Sequence, residues 1–183
     1  MAAITRKKEI ERIIEALLFA TGEPISLVKI KEIIEISYPV TLAELRALIN
    51  ALQQDYKTES RGFQLDEIAE GYCLRTVEDL FPYVEFLHRK RRGEKISRAS
   101  MEVLAIIAFK QPITRAQVEN VRGVDSSGTL YSLLERGLIE VKGKLEAPGR
   151  PSLYGLTKGF LKHFGLKDFN QLNLTMKKSE QIS

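Results

Sequence analysis

QPITRAQVENVRGVDSSGTLYSLLERGLI, residues Gln111 to Ile139, reads as two short helices joined by a glycine turn, the pattern of a helix-turn-helix. Thr114 stands where an N-cap belongs, and Gln117 three residues later can reach back to it, which is the capping-box spacing. Ala116, Val118 and Val121 are expected to form the buried stripe of the first helix, and Gly123 to end it. Leu130, Leu133 and Leu134 then recur at i, i+3, i+4, the period of a second amphipathic helix, and Gly137 falls where a left-handed residue closes such a helix.

Upstream, the same plan is legible. Ile10, Ile13, Ile14, Leu17 and Leu18 keep a helical period across Lys8 to Ala20, and Gly22-Glu23-Pro24 stops it. Ser26 can cap a second helix through Ile34, carrying Leu27, Ile30, Ile33 and Ile34 inward. Thr41 and Glu44 form a capping box ahead of a third, Leu42 to Tyr56, with Leu45, Leu48, Ile49 and Leu52 inside. The period then changes to that of strands: Phe63 to Ile68 and Tyr72 to Thr76 form a hairpin around Ala69-Glu70-Gly71. Three helices and a hairpin make a winged helix.

ALLFATGEPISLVKIKEI, from Ala16, aligns with AIIAFKQPITRAQVENV, from Ala105, so that Pro24-Ile25-Ser26 falls on Pro112-Ile113-Thr114. Element order agrees as well, which predicts a tandem duplication. The second hairpin is expected at Leu138 to Lys142 and Ser152 to Leu156, across the turn-rich Pro148 to Pro151. Between the copies Thr76 and Asp79 can cap a short segment, and Pro82 suits the first turn of another. The fold class is therefore mainly α with small β-hairpin wings (α+β), in two tandem winged-helix domains. The expected divisions are 1–87, a basic linker at 88–96, 97–165, and a polar tail at 166–183 whose last residues are expected to be disordered.

At 183 residues and 44% hydrophobic content, the chain suits one ordinary or two small globular domains. Its apolar runs fall well short of the roughly 20 residues of a membrane span, and no apolar signal core precedes the first charges, so a cytoplasmic protein is expected. One cysteine, Cys73, excludes an internal disulfide and reads as a small strand residue. The net charge of +4 is unevenly laid out: residues 1–87 carry 10 Lys/Arg against 15 Asp/Glu, and residues 88–96 carry 5 against 1. The first half is thus acidic, which a phosphate-gripping surface is not.

Two isolated histidines, His88 and His163, suit neither a metal site nor an acid–base pair, and GRPSLYG is no phosphate cradle. No enzyme, metal or cofactor is expected. A DNA reader would offer Arg, Lys, Asn or Gln from its second helix. Here Asp125 to Arg136 offers Ser126, Ser127, Thr129, Ser132 and Glu135, and is net negative.

LAIIAFKQPITRAQVENVRGVDSSGTLYSLLERGLI, from Leu104, and PGRPSLYGLTKGFLKHFGL, from Pro148, resemble the segregation and condensation protein B family, the accessory subunits of the bacterial condensin built on structural maintenance of chromosomes proteins. The likeness spans about Ile10 to Leu166 and departs at Leu156, where the family commonly has a threonine before Thr157. It implies two winged-helix domains, a homodimer through the first, and binding to the kleisin subunit, segregation and condensation protein A, and through it to the ATPase. It implies a role in chromosome condensation and segregation at the nucleoid during cell division, with no activity of its own. Tyr131, Arg150 and Tyr154 are candidate kleisin contacts in the second domain; Arg89, Lys90, Arg91 and Arg92 are candidate nonspecific phosphate contacts. The alternative is a winged-helix transcription factor, in which that basic run and the wing residues Lys142, Lys144 and Arg150 grip DNA.

Overall fold

A computed structural model describes residues 2–88 and 96–172. The chain divides into two compact units, Met1–Arg91 and Arg92–Ser183.

In the first unit, α1 (Ala2–Thr21), α2 (Leu27–Ile34) and α3 (Leu42–Thr58) are followed by the antiparallel pair β1 (Phe63–Ile68) and β2 (Gly71–Thr76), a 3-10 turn (Glu78–Leu80) and α4 (Phe81–His88). Ile10, Ile14 and Leu18 on α1, Ile30 and Ile34 on α2, and Leu45, Ile49 and Leu52 on α3 form one core, which Leu65 and Tyr72 close from the strands. The helix starts are written locally. Ser26 accepts from the Lys29 N–H at 3.3 Å. Thr41 accepts from the Glu44 N–H at 3.2 Å while the Glu44 carboxylate accepts from the Thr41 N–H at 2.8 Å. The Thr76 and Asp79 pairing does not cap the next segment: Val77 is its N-cap residue and no side chain serves it.

The hairpin loop is two residues long, with Ala69 at φ 50° and Glu70 at φ 63°. Left-handed values at both positions are what a type I′ turn requires. Gly71, expected in the loop, instead opens β2 opposite Ile68. Its side is occupied: a Cβ there would lie 3.0 Å from the Ile25 carbonyl carbon. Ile25 comes that close because it exchanges two backbone hydrogen bonds with Tyr72, each 2.9 Å.

The second unit runs α5 (Arg98–Lys110), β3 (Ile113–Thr114), α6 (Arg115–Arg122), α7 (Ser127–Glu135), β4 (Ile139–Lys144), β5 (Ser152–Leu156) and α8 (Lys158–Phe164). Its sheet is ordered β3-β5-β4, all antiparallel. The wing strand β4 extends two residues past the expected Lys142, with a bulge between Val141 and Gly143. Val103, Leu104 and Ile107 of α5, Val118 of α6, Leu130 and Leu133 of α7, and Phe160 and Leu161 of α8 are buried around it. Leu156, at the family departure, is buried opposite Ile139, and Thr157 after it caps α8 and donates to the Gly137 carbonyl.

β3 is the element the sequence does not announce. Ile113 pairs with Tyr154 as Ile25 pairs with Tyr72, each just after a proline and just before the cap of the next helix. The two units therefore share a device that ties the helix-turn-helix to the wing.

Candidate functional site

The helix-turn-helix of the second unit is held by charges turned inward. Thr114 and Gln117 make the full capping box of α6, and Gly123, at φ 73°, ends it. The Arg122 side chain is about nine-tenths buried; its Nη1 donates to Ser126 Oγ at 2.8 Å and its Nη2 to Glu102 Oε2 on α5 at 3.2 Å. Glu119 accepts from the Ser126 N–H at 3.1 Å and pairs with Arg115 at 3.3 Å. Ser126, expected on the outward face, is in fact buried, because it is the node that joins α6 to α7. Of the expected α6 stripe, Val118 alone is buried. Ala116 and Val121 are exposed, Val121 by 52%, since α6 shows α5 a single turn of its surface. Val124, in the turn, is exposed too.

What this face offers a partner is aromatic, apolar and acidic. Tyr131 stands 64% exposed on α7, and its hydroxyl is hydrogen bonded to Glu135, which raises the pKa of the phenol. Hydrogen bonding by Ser127 holds the Asp125 carboxyl below its ordinary range, so it stays charged at neutral pH. A phosphate approaching α7 would meet those two carboxylates.

The wing's cations are mostly satisfied within the wing. Lys142 is paired with Glu140, and Arg150, at φ 40° in the turn, pairs with Glu146 at 3.0 Å. Lys142 is also the extra residue of the bulge, and its stem lies over Gly155, where a Cβ would come within 2.8 Å of Lys142 Cγ. Tyr154 is half-buried. Strand pairing sets it beside buried Ile113 and exposed Val141 on the same side of the sheet as Ile139 and Leu156, so its inner edge belongs to the wing core. Tyr131, Arg150 and Tyr154 thus lie on a helix, a turn and a strand, and no hydrogen bond or ion pair joins them. The run Arg89 to Arg92 lies outside the described residues, as do residues 173–183 of the tail.

Two further features escaped the sequence reading. A cavity of about 320 Å³ on the first unit is lined by Ile10, Val40, Ala47 and Leu48, with Arg6, Lys7 and Glu44 at its edge. On α4, Tyr83, Phe86 and Leu87 are all exposed. Their i, i+3, i+4 spacing was the available signal; nothing local says whether such a stripe faces its own core. Among the described residues no three His, Cys, Asp or Glu side chains come together as a metal site, and no helix is long and apolar enough to cross a membrane.

Two helix-turn-helix units, each followed by an antiparallel strand pair, define a winged-helix protein. Residues 12–175 match the model of the family described as segregation and condensation complex subunit ScpB. The chain belongs to that family. It is 48% identical over 161 residues to segregation and condensation protein B of Symbiobacterium thermophilum, covering 87% of this chain and 71% of that one. With the protein of the same name from Clostridium tetani it shares 43% identity over 160 residues, covering 87% and 82%. Among solved structures, a dimer of an ScpB N-terminal domain complexed with an ScpA peptide is 40% identical, covering 44% of this chain and 95% of that one, with a TM-score of 0.40.

Proposed function

We propose that this protein is a non-enzymatic subunit of the bacterial condensin built on structural maintenance of chromosomes ATPases, binding the kleisin ScpA and acting in chromosome condensation and segregation during cell division. It works in the cytoplasm, reaching the ATPase and the nucleoid through the kleisin. The dimer and the ScpA peptide are properties of the solved relative, an N-terminal domain; for this chain the proposal is a homodimer through the first unit and a kleisin contact on the second, the latter argued from this chain's own second unit rather than from that relative.

One observation carries the kleisin reading. The helix-turn-helix face displays Val121, Val124 and Tyr131 to solvent while Arg122 and Ser126 are spent inside. An amphipathic helix laid on that face buries apolar surface. Arg150 and the outer edge of Tyr154 extend the face onto the wing.

The experiment is calorimetric titration of ScpA into Tyr131→Ala, Arg150→Ala and Tyr154→Phe variants, with melting curves run in parallel. Phe replaces Tyr154 because its ring packs on Ile113. Loss of a central anchor is expected to raise Kd about tenfold or more, with an unchanged melting temperature for Tyr131→Ala. Unchanged affinity in a folded variant removes that residue from the interface, and unchanged affinity in all three moves the kleisin elsewhere.

A further inference from the structure

α6 is a ridge with a hollow on either flank. Val118 and Arg122 turn toward α5, where Val118 is fully buried and Arg122 pairs with Glu102. At about 100° of turn per residue, Asn120 lies opposite that side and forms the exposed crest. On one flank a hollow of about 420 Å³ is lined by Lys110, Ile113, Gln117 and Val121. On the other, a hollow of about 440 Å³ is lined by Glu119, Val124 and Asp125, and Asn120 borders both.

The two flanks carry opposite charge. Lys110 is exposed in the last turn of α5, and no carboxylate among the described residues pairs with it. Beside it, Gln117 spends its Oε1 on the Thr114 N–H and hydroxyl, so its NH₂ is the group it can offer. Across the crest, Glu119 is already paired with Arg115, whereas Asp125 accepts only from Ser127, at 2.7 Å, and remains the carboxylate open to a cation. Val121 and Val124, 52% and 55% exposed, set one apolar side chain in each hollow.

We propose that this ridge reads the polarity of an amphipathic helix laid across it. A carboxylate of that helix meets Lys110, a Lys or Arg about two turns further on meets Asp125, and apolar residues between them rest on Val121 and Val124. The proposal rests on the reading that this face takes the kleisin, and it names the chemistry and direction of the segment. Crossing α6 means spanning a helix of about 10–12 Å diameter, and two turns of the partner cover about 11 Å. Opposite charges at the two ends favour one direction and set like charges together in the other, a discrimination that apolar contact alone lacks. Other occupants fit worse. A second copy related by a twofold would set crest on crest and leave both hollows open, and duplex DNA would meet Asp125 and Glu119 along one whole flank.

The test is calorimetric titration of ScpA into the full-length chain at low and high salt, with melting curves in parallel. The variants are Lys110→Glu, Asp125→Asn and Asn120→Phe, with Lys57→Glu as the control for net charge. Lys57 is exposed in the last turn of α3, in the other unit. Asn replaces Asp125 because it can still accept from Ser127. At low salt, Lys110→Glu is expected to raise Kd about tenfold and Asp125→Asn about 2- to 5-fold, both effects shrinking as salt rises and both with unchanged melting temperatures. Asn120→Phe places bulk on the crest and is expected to raise Kd about tenfold or more at any salt. Charge variants that bind like wild type, or lose no more than Lys57→Glu, overturn the polarity, while a weakened Asn120→Phe keeps the kleisin on the ridge. Full affinity in all three variants removes the ridge from the interface. A wild type that binds no ScpA removes the kleisin reading, and the ridge with it. Charge variants that instead alter the sedimentation of the protein alone overturn the proposal in favour of a second copy.

Discussion

Tyr56 shows how much one polar contact can fix at the centre of a small domain. Its ring is buried between helices, its hydroxyl donates to Glu15 Oε1 on α1 at 2.8 Å, and the Arg61 guanidinium lies 4.6 Å from the ring centroid. Burial first, and then the hydrogen bond to the Glu15 carboxylate and its negative charge, push the phenol up to about 12, against a smaller opposing pull from Arg61. The folded value exceeds the unfolded one, near 10. The contact therefore contributes its full stabilisation below pH 10 and loses it as pH rises through about 12. Ultraviolet phenolate titration should show a late alkaline step that Tyr56→Phe abolishes. The same variant should lose about 1 kcal/mol at neutral pH, the net worth of a buried hydrogen bond, with Glu15 regaining water to limit the loss. A Tyr56→Phe protein that retains the late step would assign that step to another tyrosine.

At the scale of elements, the capping box of α6 is the feature on which the second unit's helix-turn-helix depends. Thr114 is itself buried, accepts from the Gln117 N–H at 3.3 Å, and donates its own N–H to Gln117 Oε1 at 2.9 Å. Thr114→Ala is expected to cost about 1 kcal/mol. In a unit of this size that lowers the melting temperature by about 4–8 °C, whereas Thr114→Ser, which keeps the oxygen, should lose much less. Differential scanning calorimetry of both variants checks this; equal shifts would mean that the methyl, not the cap, is what matters. Caps such as this one, and those at Ser26 and Thr41, were legible because both partners lie within three residues. β3 was not, because a two-residue strand carries no period and the partner of Ile113, Tyr154, lies beyond α6, α7 and β4 in the chain. Val121 and Ser126 exchanged their expected places for a related reason. Periodicity says which residues share a helix face, but the approach of α5 and the reach of Arg122 decide which face is buried.

For the whole molecule, the charge layout bears on whether the winged-helix shape can grip DNA. Residues 1–87 carry five more acidic than basic side chains. In the second unit, Lys142 and Arg150 are paired within the wing, and Asp125 and Glu135 flank the helix that would enter a groove. The candidate face was partly legible: Tyr131 and Arg150 proved exposed, whereas the inward edge of Tyr154 depends on a strand register that no short window contains. The basic run Arg89 to Arg92 remains the one dense cation source in the sequence, and four charges without a base-reading helix give affinity without preference. Binding to duplex DNA should accordingly be weak, no tighter than about 10⁻⁶–10⁻⁴ M at physiological salt, and should not discriminate among sequences. Its salt slope should correspond to few phosphates, about 3 to 4 if the basic run supplies them, and should collapse when Arg89, Lys90, Arg91 and Arg92 are replaced by Gln. Fluorescence anisotropy with a labelled duplex library across a salt series reads all three quantities. One duplex held at least 10³-fold tighter than the rest at physiological salt would restore the transcription-factor reading, because a preference of that size requires base contacts or paid-for deformation that this α7 and this wing do not provide.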